Sequence, residues 1–204
     1  RSVLWILAGD EGCRSNLRKR AEERGIDPVR LVFANKMPIE QHLARHRLAD
    51  LFLDTLPCNA HTTASDALWA GLPVLTCIGE TFSGRVAASL LSAMNLPELI
   101  AESLDDYERI ALALTEDRSR LETIRGKIAA GRKTSPLFDT ARYTRNLERA
   151  YETMVDIMRH GEAPRPFAVA ELQPPVTAPP VSAGAARVPY DRCPLCDGAD
   201  IPYQ

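Results

Sequence analysis

Residues 51–88 read LFLDTLPCNAHTTASDALWAGLPVLTCIGETFSGRVAA, and their pattern decides the fold. Leu51-Phe52-Leu53 is a short apolar run of the kind that forms a buried strand, and Asp54 ends it. Pro57 and Asn59 break the pattern as a loop. Thr62 or Thr63 then suits the N-cap of a helix that continues through Asp66, Leu68 and Trp69 and stops at Gly71. Residues 73–77, PVLTC, form the next strand, and Gly79-Glu80-Thr81 opens a further helix running from Phe82 towards Met94. Hydroxyls and unpaired backbone N–H groups therefore gather at a helix start just beyond the carboxyl end of a strand. Open α/β sheets bind ligands in that position, and a helix N-terminus favours phosphate. Ser and Thr also cap most helices that hold no ligand, so position alone leaves a purely structural role open.

Upstream, Val3-Leu4-Trp5-Ile6-Leu7 is a continuous apolar run that reaches a turn at Gly9-Asp10. Residues 15–24 read as a polar helix closed by Gly25. Arg30-Leu31-Val32-Phe33 is a second strand, and residues 39–48 form a helix whose first turn tolerates Pro38. Downstream, residues 104–115, 119–133 and 140–159 are helical, with Ile110, Leu114, Leu121 and Ile124 spaced as an inward-facing stripe. Strands alternating with helices predict an α/β fold: a Rossmann-like, doubly wound parallel sheet, with the later helices packed on it. No helical repeat of the tetratricopeptide kind is evident.

The chain has 204 residues, 45% hydrophobic and 25% charged, with a formal net charge of −2, as expected of one globular domain with tails. That balance points away from a nucleic-acid or membrane surface, and no apolar run reaches the roughly 18 residues that span a bilayer. No signal peptide is visible, and Arg1 rather than Met opens the chain, which reads as a piece of a longer protein. Cys13, Cys58 and Cys77 are scattered, as suits reduced thiols in the cytoplasm. The organisation expected is a domain over residues 1–160, a Pro/Ala-rich linker over 161–191, and the start of a further module over 192–204. In that last segment Cys193 and Cys196 form half of a zinc knuckle; two more ligands are needed and none follows, so no metal site is expected.

The run 58–63, CNAHTT, with Asp66, the run 68–73, LWAGLP, and Gly79-Glu80-Thr81 followed by Arg85-Val86-Ala87 resembles the protein O-GlcNAc transferase family. The resemblance extends from about Val3 to about Met154, takes in Ser135-Pro136-Leu137-Phe138, and falls in the donor-binding, C-terminal half of that family's catalytic region. It implies a two-lobed glycosyltransferase of the GT-B type, inverting and metal-independent, with no cofactor. Its donor would be a UDP-sugar, UDP-GlcNAc, and its acceptor a protein Ser or Thr hydroxyl. By the same resemblance Thr62 and Thr63 hold the diphosphate, and Asp66 bonds the ribose. His61 lies beside the sugar and phosphates, and Cys58 beside the N-acetyl group. His42 stacks on the uracil, Arg45 lies near the base, and Met37 offers backbone groups to the base edge. Ile39 stands where animal members carry a lysine, and Lys36 lies three residues earlier. The acceptor-side histidine, the diphosphate-neutralising lysine and the substrate-selecting helical repeats would all precede Arg1. No catalytic residue is therefore assigned within this chain, which by itself should bind donor weakly and transfer nothing.

Other readings stay open at this point. Related branches use GDP-fucose, or UDP-glucose on asparagine; His61 and Asp66 favour a uridine nucleotide. A non-catalytic nucleotide-binding or interaction domain is the alternative of a different class, supported by Ile39 and opposed by the retention of Thr62, Thr63 and Asp66. Bland readings also exist for single residues: His42 as a polar helix position, Cys58 as a small buried thiol, Asp66 as a helix-dipole partner and Arg85 as the partner of a neighbouring acid.

Overall fold

Parallel strands need long crossovers, and helices supply them here. The computed structural model describes residues 2–170. Strand β1, Leu4–Leu7, is followed by helix α1, Glu11–Glu22, and pairs in parallel with β2, Leu31–Ala34. Helix α2, Ile39–Arg45, continues as a 3-10 turn, His46–Leu48, and leads to β3, Phe52–Leu53. Helix α3, Thr62–Trp69, connects to β4, Val74–Cys77, which lies between β3 and β5, Ile100–Ala101. All the pairings described are parallel, and the hydrogen bonds divide the strands into a two-stranded and a three-stranded part.

The four residues of β4 are all buried, which accounts for its unbroken apolar sequence: a parallel strand covered on both faces has no solvent side to alternate towards. Its one hydroxyl, Thr76, bonds a carboxylate described below. Helices α4, Val86–Ala93, α5, Leu104–Glu116, and α6, Arg118–Gly131, close the core around Leu75, Leu91, Leu99, Ile110, Leu114, Leu121, Ile124 and Ile128. The inward stripe expected on α5 and α6 is thus buried as read. Arg132 seals the end of α6 by donating from Nη1 to the Trp69 carbonyl, at 2.9 Å, with its guanidinium over the Trp69 ring. Helix α7, Thr140–Arg159, follows, and among the described residues no helix is long and apolar enough to cross a membrane.

Several boundaries differ from the sequence reading. Helix α1 begins four residues early because Asp10 accepts from the Cys13 N–H at 2.7 Å and caps it there. Strand β5, only two residues long, carries no period-two signal and escaped the sequence reading. The helix expected from Phe82 is broken: a 3-10 turn, Phe82–Gly84, precedes α4. Gly84 sits so close beneath the preceding loop that a Cβ there would lie 3.1 Å from the Pro57 carbonyl oxygen and 3.3 Å from Gly79 Cα. Gly71 does end α3, at φ 87°, where a residue with a Cβ would be strained. Most of the expected linker, and the Cys193 and Cys196 pair, lie outside the described residues.

Leu75 is fully buried at the centre of this packing. Leu75→Ala is expected to cost about 2–5 kcal/mol of unfolding free energy in urea titration. The exposed Leu112→Ala should change it by about 0.5 kcal/mol or less.

Candidate functional site

The loop between β3 and α3 is built on Asp54. Its side chain is buried, and a buried carboxylate is tolerated only when hydrogen-bonded. Oδ1 accepts from the N–H groups of Thr55, at 2.8 Å, and Ala60, at 2.6 Å, while Oδ2 accepts from the Thr76 hydroxyl at 2.6 Å. Tyr107 donates its hydroxyl to the Asp54 carbonyl at 2.9 Å, and burial beside that acid pushes the phenol up to about 12. Asn59, also buried, donates its backbone N–H to the Ser83 carbonyl and its side-chain amide to the Thr55 carbonyl. Across from it, Gly79 donates to the Gly84 carbonyl at 2.7 Å and Arg85 donates to the Gly79 carbonyl at 3.1 Å. Arg85 thus bonds a backbone carbonyl that closes the 79–84 turn, with no acid in the contact.

This scaffold delivers the chain to α3 with His61 at φ −104°, ψ −94°. His61, not Thr62 or Thr63, is therefore the N-cap, and it makes no side-chain capping bond. Thr62 is the first residue of the helix itself. The first bond within the helix runs from the Ser65 N–H to the His61 carbonyl at 3.1 Å. The N–H groups of Thr62, Thr63 and Ala64 precede it and lack an intrahelical acceptor. Both threonines are exposed, and their hydroxyls have no hydrogen-bond partner among the described residues. His61 is exposed beside them; its Nε2 lies 3.5 Å from the Ser83 carbonyl and its ring meets Phe82 edge-on. Cys58 is exposed as well, which corrects the reading of it as a buried, space-filling thiol.

The second cluster follows β2. Met37 and Ile39 are exposed at the start of α2, and Lys36 is exposed just before them. His42, half-buried, accepts at Nδ1 from Arg45 Nη2 at 2.6 Å. Arg45 is further held by Nη1 donating to the Asn35 carbonyl at 3.0 Å and by the Trp5 ring beneath its guanidinium. His46 is buried, with Nδ1 2.8 Å from the His42 carbonyl and its ring edge-to-face with His42 at 4.7 Å. Burial, then His46 and Arg45, hold His42 below the ordinary histidine value, while Asp66 on α3 acts in the opposite sense. His46 is also lowered by burial, against the bond to the His42 carbonyl, and Asp66 again opposes. Asp66 on α3 thus acts electrostatically on both rings of the second cluster. Asp54, Asn59 and His46 went unread as site residues; a strand-terminal Asp followed by a Pro/Asn loop is a signal for the first alone.

The glycosyl transferase family 41 profile matches residues 1–147, and the chain belongs to that family. It is 41% identical over 148 residues to a UDP-N-acetylglucosamine–peptide N-acetylglucosaminyltransferase of Caenorhabditis elegans, covering 72% of this chain and 13% of the relative. It is 38% identical over 171 residues to the SEC protein of Arabidopsis thaliana, covering 83% and 18% respectively. An O-GlcNAc transferase structure from Thermobaculum terrenum, the K341M mutant, superposes with a TM-score of 0.71 at 34% identity, over 74% of this chain and 29% of that one. The chain therefore spans less than a fifth of the length of these two curated relatives.

Asp54→Ala would strand the Ala60 N–H and the Thr76 hydroxyl, and should lower stability by about 2–4 kcal/mol in urea titration. The two histidines give a further expectation. Their folded pKa values lie below 6.5, so below that pH the unfolded chain gains protons that the folded chain resists. The stability from the neutral rings is complete above about 6.5 and is lost as pH falls through the lowered folded values. Unfolding free energies measured at about pH 7.5 and 5.5 should fall with pH, and His46→Gln should reduce that fall.

Proposed function

We propose that this chain is the donor-nucleotide-binding part of an inverting glycosyltransferase that moves N-acetylglucosamine from a uridine diphosphate carrier to Ser or Thr hydroxyls of proteins. The observation that carries the reading is the exposed start of α3. There the N–H groups of Thr62 and Thr63, without intrahelical acceptors, and the unpaired hydroxyls of both residues stand beside His61, with Asp66 in the following turn of α3. A diphosphate at this helix start meets donors and the positive end of the helix dipole. Asp66 is then placed for ribose hydroxyls and His42 for the base, with Met37 and Arg45 near it. His61 and Cys58 lie towards the sugar. The names of the C. elegans relative and the T. terrenum neighbour support the choice of sugar and acceptor.

In the proposed reaction the acceptor oxygen attacks the anomeric carbon as the bond from that carbon to the β-phosphate oxygen breaks. The electron pair passes to the diphosphate, and the hydroxyl proton leaves the acceptor oxygen to a base supplied outside this chain. Donors fixed at the helix start stabilise the charge that accumulates on the leaving group, which lowers the barrier more than it tightens ground-state binding. The reading needs no metal. The other half of the cleft, with the acceptor-side groups, would come from the rest of a longer protein.

Calorimetric titration tests this directly. UDP should bind and GDP should bind more weakly. Replacing both Thr62 and Thr63 by Ala should weaken UDP by about tenfold or more, the scale of losing hydrogen bonds to a charged group. GDP preference, or indifference to the double substitution, would overturn the assignment.

A further inference from the structure

Hydrogen-bond chemistry fixes the protonation of both rings in the α2 histidine pair. Arginine has no acceptor, so Nδ1 of His42, 2.6 Å from Arg45 Nη2, must carry the lone pair. A carbonyl has no donor, so Nδ1 of His46, 2.8 Å from the His42 carbonyl oxygen, must carry the hydrogen. Neutral His42 is then protonated on Nε2, and neutral His46 on Nδ1. Neither partner is free to turn away. Arg45 is tied to the Asn35 carbonyl at the end of β2 and stacked against Trp5 of β1, and His46 is buried with its ring edge-to-face on His42 at an interplanar angle of 83°.

We propose that Arg45 and His46 are positioning residues that lock His42 as the neutral, Nε2-protonated tautomer in one ring plane, so that it meets the nucleotide as an uncharged ring with a single outward donor. This rests on the assignment of His42 to the base. Under it, Arg45 acts on the nucleotide through His42 as well as by lying near the base, since Nη2 bonds the ring while Nη1 is tied to the Asn35 carbonyl. Protonating Nδ1 would break the Arg45 bond and set two cations against each other. The titratable and charged groups acting on His42 are Arg45 on α2, His46 in the 3-10 turn that continues it and Asp66 on α3, and of these only Asp66 favours the cation. Nucleotide binding should therefore weaken as pH falls through the range in which His42 takes up its proton.

Long-range proton–nitrogen NMR of the side-chain imidazoles in this chain reads the tautomers without any ligand. The lock requires His42 on the Nε2–H side and His46 on the Nδ1–H side at pH 7.5. A His42 that is Nδ1-protonated, or an averaged mixture, overturns it. Arg45→Met should return His42 to a mixture and weaken UDP binding about three- to tenfold, and His46→Phe, which keeps the ring packing, should move the His42 signals and weaken binding by less. Unchanged His42 signals in both variants would also overturn the proposal. If the lock is found but UDP leaves the His42 signals in place, the base assignment fails while the lock stands.

Discussion

The Asp54 carboxylate satisfies three donors at once, and the geometry of the whole site depends on it. It joins the end of β3 to the central strand through Thr76 and to the approach to α3 through Ala60. A carboxylate in a buried setting is costly unless its lone pairs are occupied, so the loop has little freedom once the sheet has formed. From there the constraint passes along the chain. Asn59 is bonded to Ser83, the 79–84 turn closes against Pro57 over a glycine, and His61 is delivered to the cap position with the two threonines just inside the helix. A helix start becomes an anion site when its donors are unspent and accessible. The Thr62 and Thr63 hydroxyls are unspent because a residue with no capping bond occupies the cap.

Electrostatics then links the two halves of the site. Asp66 is one turn into α3, and its charge is felt by His42 and His46 on a different helix. Burial lowers the charge-holding tendency of both rings, and Arg45 adds to the effect on each. Under the proposed reading, a neutral ring, an acid and the donors of Thr62 and Thr63 serve one ligand. That combination suits a ligand with a flat base, a sugar diol and a diphosphate better than it suits any one of these alone. Ile39, exposed at the start of α2, carries no charge.

Much of the fold was legible because the strands are short, mainly apolar runs; Val74–Cys77 is buried on both faces, whereas Leu53, read as part of a buried strand, and Leu4 and Leu7 of β1 are exposed. The inward stripe on α5 and α6 was equally plain, since its period is that of a helix. What escaped was set by contacts distant in sequence. The two residues of β5 are held by pairing with Thr76 and Cys77, which no local pattern encodes. The break at Gly84 arises from the approach of Pro57, twenty-seven positions earlier in the chain. The threonines were read as caps because hydroxyls at helix starts usually are; in the structure His61 holds the cap position and makes no capping bond. Thr62, Thr63 and Asp66 were named as site residues from a family resemblance; the structure adds that both threonines are exposed with unpaired hydroxyls and that Asp66 acts electrostatically on His42 and His46. His46 could not have been read, since its role lies in a ring contact and a carbonyl bond within a helix.

The central claim is that one nucleotide bridges the start of α3 and the face of α2. Amide chemical shifts recorded on this chain during a UDP titration test it most directly. The account predicts that the changes concentrate in residues 36–46 and 58–66, while α7 stays still. Changes confined to one of those stretches, or gathered elsewhere on the surface, would contradict it.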